Sequence, residues 1–227
     1  MLSDITTENE TSKSRERNRE LLRWLSTHDF QSKHTRASAL RNERTCNWLL
    51  DTPQFQALIH SDTPCLWLYG IAGSGKTILT SSIIDYFMSG RASDESILAY
   101  FYCDASDSES QRPVTVLSAL LYQMCIQLAK IPDYIEATFH EATSMSRQQL
   151  KPTVEQLQSM IAVALSYCRN PIIVVDGLDE AFEREVLCEL LVSLTRKQSS
   201  LVRLLVTSRP EPDIRRHFEG MNVISAL

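Results

Sequence analysis

Eight consecutive residues carry the strongest chemical signal in the chain: Gly70-Ile71-Ala72-Gly73-Ser74-Gly75-Lys76-Thr77, which satisfies the spacing G-x-x-x-x-G-K-[ST]. A polyphosphate needs many inward-pointing N–H donors, and only a loop nearly free of side chains lets the backbone approach that closely. Three of the six glycines in the sequence fall in this octet. An apolar run, Leu66 to Tyr69, leads directly into it, and Ile78, Leu79, Ile83, Ile84 and Phe87 follow at helical spacing. A helix N-terminus placed there adds partial positive charge. The spacing puts Lys76 on the β and γ phosphates and the Thr77 hydroxyl at a Mg²⁺ position, with Ile78 completing the nucleotide-binding stretch.

A second group is Ile172-Ile173-Val174-Val175-Asp176-Gly177-Leu178-Asp179-Glu180, an apolar strand that ends in acids. Asp176 at its carboxyl end is the candidate second metal-site residue. Glu180, or alternatively Asp179, is positioned to polarise an attacking water. A third run, Leu204-Leu205-Val206-Thr207-Ser208-Arg209-Pro210, is a buried strand ending in polar groups and a cation. Arg209 or Thr207 is its candidate γ-phosphate sensor. Asp104, Asp107 and Glu109 lie in a Ser-rich stretch read as a solvated loop. The five histidines are isolated and build neither a metal site nor a Ser/His/Asp triad.

The elements that must hold these residues follow from periodicity. Strand-like runs occur at 65–69, 97–103, 171–176, 201–207 and 222–226, and helical patterns at 76–88, 114–130, 133–141, 154–168 and 184–197. Thr153 and Gln156 are spaced as a capping box, and Pro113 sits where a first helical turn tolerates proline. Alternation of strand and helix predicts right-handed crossovers and a mostly parallel five-stranded sheet with helices on both faces, a three-layer α/β core. Ligands of such sheets sit beyond the carboxyl ends of the strands.

Upstream, residues 1–12 read as a disordered tail, 13–60 as a basic helical arm and 61–227 as the core. The arm's helical pieces are predicted at 14–25, 45–50 and 55–59. The net charge of −5 conceals an asymmetry: Lys13 to Arg44 holds nine Lys/Arg against four Asp/Glu, and the remainder fourteen against twenty-four. The acidic body would repel nucleic acid and anionic lipid, so docking of the arm on its own body is the expected use of its charge. No apolar run approaches the roughly 20 residues that span a bilayer. The N-terminus lacks the apolar h-region of a signal peptide, and a cytoplasmic location is expected. The six scattered cysteines are read as reduced core residues.

These three elements in this order, with Gly177 after Asp176 and the acids Asp179 and Glu180, resemble the NACHT family of signalling NTPases. Arg44-Thr45-Cys46, Trp48-Leu49-Leu50 and Phe55 before the loop, and Phe101-Tyr102-Cys103-Asp104, Leu117 and Leu120-Leu121-Tyr122-Gln123 after it, sharpen the likeness to the nephrocystin-like module common in fungal NOD-like receptors. The resemblance implies a nucleotide-controlled switch that oligomerises in its triphosphate form. It assigns Lys76 and Thr77 to phosphate and Mg²⁺ (the Walker A loop), Asp176 to the metal and Glu180 to hydrolysis (Walker B), Arg209 to sensing, and the Arg44-Thr45 segment to the base. ATP is preferred to GTP, because no N-K-x-D-like segment appears. Homo-oligomers or larger NACHT proteins are the implied partners. The sequence ends after the fifth predicted strand, where family members continue into a helical lid and a winged helix. The competing reading is a non-hydrolysing interaction module that associates with larger receptors.

Overall fold

Five short apolar runs pair into one sheet in the order β2-β3-β4-β1-β5, every pairing parallel. They are β1 (Cys65–Tyr69), β2 (Leu98–Tyr102), β3 (Ile172–Asp176), β4 (Arg203–Ser208) and β5 (Asn222–Ser225). The computed structural model describes residues 2–42, 46–60, 63–90, 96–144, 150–196 and 201–226, with side chains from residue 13 onward.

Strands buried on both faces need apolar residues at every position, and β3 is buried throughout. Alternate side chains then divide between two cores. Cys65, Trp67, Ala99, Phe101, Ile173, Val175, Leu204 and Val206 enter one core with α1 (Leu2–Leu25), α6 (Pro113–Gln127), α7 (Asp133–Ser144), α8 (Val154–Ser166), α9 (Arg184–Arg196) and α10 (Pro212–Phe218). Leu66, Leu68, Tyr100, Tyr102, Val174 and Leu205 enter the other with α3 (Asn47–Leu50), α4 (Pro53–His60) and α5 (Lys76–Met88). The result is the expected three-layer α/β fold. Thr153 and Gln156 form the capping box of α8, and Pro113 opens α6.

The outer edge of β2 is closed by side chains. Gln123 Oε1 accepts from Tyr100 N at 3.1 Å and its Nε2 donates to Tyr100 O at 2.8 Å. Gln127, one turn later on α6, does the same for Leu98 at 3.1 and 2.7 Å. Two amides four residues apart on a helix thus occupy the hydrogen-bonding groups that a sixth strand would use.

The N-terminal segment departs from expectation in two places. Residues 2–12, read as a disordered tail, continue the helix that begins at Leu2 instead of Ser14. They carry no apolar periodicity from which a helix could be read. An unforeseen helix, α2 (Phe30–Leu40), also follows, capped by Asp29, whose carboxylate accepts from Gln31 N and Ser32 N. Its inner face is Phe30, His34 and Ala37, so the central apolar position is held by a histidine and the pattern is broken. His34 is buried, with Nδ1 3.0 Å from the Tyr102 hydroxyl and Nε2 3.1 Å from Asp85 Oδ1.

Residues of α1 and α2 contact the sheet and its helices through both ion pairs and apolar side chains. Arg41 donates to Asp85 on α5 at 2.6 Å, and Lys33 pairs with Asp104 after β2. On the opposite face Leu21, Trp24 and Leu25 are buried, and the Trp24 indole donates to Leu150 O at 2.7 Å. All six cysteines lie buried as thiols. Among the described residues no helix is long and apolar enough to cross a membrane.

Candidate functional site

The loop between β1 and α5 owes its shape to its glycines. A Cβ on Gly70 would stand 2.4 Å from Ala226 O and 2.5 Å from Ser74 Oγ, closer than any side chain tolerates. Gly73 and Gly75 have φ of +78° and +84°, the left-handed region that L residues avoid. Gly75 opens α5, so the unpaired N–H groups of that helix's first turn face the loop. Lys76 Nζ donates to Gly70 O at 2.8 Å and Ile71 O at 2.9 Å, which folds the ammonium over the loop. Ser74 Oγ is buried without a hydrogen-bond partner among the described residues.

Asp176 ends β3 opposite this loop and is only 3% exposed. Three hydroxyls hold it: Thr77 donates to Oδ2 at 2.7 Å, and Thr80 and Thr207 donate to Oδ1 at 2.8 and 2.5 Å. Burial pushes the carboxyl's pKa above its ordinary value, while the bonds from Thr207, Thr77 and Thr80 and the charge of Lys76 work in the opposite direction. Thr207 also accepts from Gly177 N at 3.1 Å, which ties the end of β4 to the turn after β3. Thr80 was not among the residues singled out in the sequence. Its only signal is its place three residues after Thr77, on the same helix face.

Past Asp176 the chain turns at Gly177, with φ +71°, into a single 3-10 turn, Leu178–Glu180. That turn sends its two acids to different partners. Asp179 Oδ1 accepts from Arg209 N at 2.9 Å, and its Oδ2 lies 3.2 Å from Arg209 Nε. Glu180 Oε2 accepts from Ala105 N at 2.7 Å.

The parallel sheet brings the three sequence motifs to one edge. Ala72, Gly73, Gly75, Lys76, Thr77, Asp176, Gly177, Asp179, Glu180, Thr207 and Arg209 line a cleft of about 300 Å³. Of the remaining candidates, Gly70 is buried beneath the loop, Ile71 is exposed on it, and Ser74 and Ile78 are half-buried. Arg44 and Thr45 lie outside the described residues. Asp104 differs from its reading as part of a solvated loop: it is paired with Lys33.

This lining suits a Mg²⁺-bound polyphosphate. The glycine turns present backbone N–H donors and Lys76 supplies a cation. The Asp176 carboxylate, desolvated by burial, gains from a divalent cation beside it.

The family model described as Nephrocystin 3, N-terminal matches residues 44–209. Vegetative incompatibility protein HET-E-1 of Podospora anserina is 26% identical over 196 residues, which cover 85% of this chain. The chain spans 14% of that relative's length. Among solved structures, Cdc6p from Pyrobaculum aerophilum superposes with a TM-score of 0.51 at 11% identity, over 86% of this chain and 48% of the other. At that identity the likeness is one of fold.

Proposed function

We propose, from the premise that the chain belongs to the nephrocystin 3 N-terminal family and is a nucleotide-binding P-loop domain of the NACHT kind, that it acts as a Mg²⁺-dependent, ATP-preferring signalling switch. In this reading residues 13–60 form an arm on a core of residues 61–227. The triphosphate form self-associates or joins larger relatives in the cytoplasm, and hydrolysis returns it slowly to rest. The observation that supports it is the convergence of Lys76, Thr77, Asp176, Glu180 and Arg209 on one cleft.

Each side chain has a distinct task in this reading. The loop amides and Lys76 bind and orient the phosphates. Thr77 and Asp176 would hold Mg²⁺, which when bound neutralises phosphate charge. Glu180 takes the proton of a water, and Arg209 responds to the terminal phosphate.

Equilibrium titration with fluorescent ATP and GTP analogues in Mg²⁺, beside Lys76→Ala, tests the site. Tight binding lost in the variant supports it; equal binding by a folded Lys76→Ala overturns it. Light scattering with a non-hydrolysable ATP analogue tests the switch, which requires a rise in mass over the ADP form. Glu180→Gln with undiminished turnover would remove the hydrolytic role of Glu180 and favour a non-hydrolysing interaction module.

A further inference from the structure

Glu180 is connected to Lys33 on α2 through Ala105 and Asp104. Its carboxylate is held by the amide of Ala105, in the turn that follows β2. That turn is shaped by Asp104, whose Oδ1 accepts from Ser106 N at 2.9 Å and Ser106 Oγ at 2.7 Å. Gln111 Nε2 donates to the carbonyls of Asp104 and Ala105 at 3.0 and 3.1 Å, which leaves the Ala105 N–H directed at Glu180. The other Asp104 oxygen, Oδ2, pairs with Lys33 on α2.

Lys33 comes from an element that is fixed by other means. Phe30 packs edge-on against Tyr100 and Tyr122 with ring centroids 5.7 and 5.9 Å apart. His34 bonds Tyr102 and Asp85, and Arg41 bonds Asp85. The ammonium therefore anchors Asp104, and the turn follows the arm. Lys33 is 40% and Asp104 22% exposed, and an ion pair so placed adds little to stability. Its effect lies in geometry.

We propose that Lys33 is a positioning residue for Glu180: by holding Asp104 it sets the turn whose Ala105 amide orients the Glu180 carboxylate, so that docking of the N-terminal arm controls the hydrolytic group. This rests on the reading of Glu180 as the acid that activates water. A shift of α2 away from β2 then changes turnover without touching a nucleotide contact.

Lys33→Met in the 227-residue chain is expected to slow ATP turnover about tenfold, as small misplacements of a reacting group do, with nucleotide Kd within about twofold of wild type, and Lys33→Arg to recover most of the rate. A second readout is independent of hydrolysis. In protein labelled with ¹⁵N-alanine, the Ala105 amide resonance should move on Glu180→Gln and move in the same direction on Lys33→Met. An unmoved Ala105 resonance in a Lys33→Met protein that melts like wild type overturns the proposal, as does unchanged turnover in that variant. If wild type shows no turnover, or Glu180→Gln retains it, the hydrolytic reading of Glu180 fails on its own, and the resonance alone decides whether Lys33 positions that carboxylate.

Discussion

Asp179 and Arg209, 30 residues apart, meet twice: the Arg209 amide donates to Asp179 Oδ1 at 2.9 Å and its guanidinium Nε lies 3.2 Å from Oδ2. Asp179 is 6% exposed and Arg209 49%, so the acid is buried beneath a cation that still reaches solvent. The pair joins the turn after β3 to the end of β4 at the mouth of the cleft. In the proposed reading of Arg209 as sensor, a terminal phosphate would compete with Asp179 for the same guanidinium.

Arg209→Ala is accordingly expected to weaken ATP binding by about tenfold, the scale of one charge-assisted hydrogen bond, and to leave ADP affinity within about twofold. Paired titrations with the two nucleotides measure the difference. Equal loss for both would assign Arg209 to general phosphate attraction.

Gly70→Ala should destabilise the fold by about 1–3 kcal/mol, the usual cost of overpacking. Its Cβ would meet the Ala226 carbonyl, a backbone atom that cannot move without β5. Gly73 has open space around it but a φ of +78°, and Gly73→Ala should cost about 1–2 kcal/mol from backbone strain alone. Urea unfolding of both variants ranks them.

Gln123→Leu keeps the volume of a side chain that is 2% exposed but leaves Tyr100 N and O unpaired on the β2 edge. A loss of about 2–3 kcal/mol is expected, and concentration-dependent association should appear because the edge is reopened. A variant as stable and as monodisperse as wild type would show that α6 shields the strand without those bonds.

Acid stability should report the Lys33–Asp104 contact. Burial works against ionisation of Asp104, but the bonds from Lys33 and Ser106 prevail and hold its pKa at about 2 against an ordinary 3.8. A carboxyl depressed in the folded state contributes stability above its unfolded pKa and loses it as pH falls through the folded one. Any small deficit of Lys33→Met against wild type should therefore be present above about pH 4 and shrink as pH drops toward 2. Denaturation midpoints measured across that range check the sign.

The strands and most helices were legible because parallel strands buried on both faces and helices covering them leave strong apolar patterns, as at Ile172–Asp176 and Val154–Ser166. α10 was missed although Pro212 stands at its first turn and Ile214 and Phe218 are spaced i, i+4; seven residues are too few for a period to show. α2 was missed because His34 occupies a core position, satisfied there by Tyr102 and Asp85, which lie 68 and 51 residues away.

The parallel α/β architecture, the phosphate loop and the candidate residues Lys76, Thr77, Asp176 and Glu180 are legible in the chain's own spacing, since each rests on a local pattern or on a strand end. Packing across the sheet sets Thr80 and Thr207 beside Thr77 on Asp176, sends Asp179 to Arg209 and Glu180 to Ala105, and ties α2 to the turn at Ala105 through Lys33 and Asp104. Those choices depend on strand order, which sets β3 between β2 and β4. A hydrogen bond reaches only about 3 Å, so which neighbours meet is set by packing across the sheet and is not written in the spacing of any one segment.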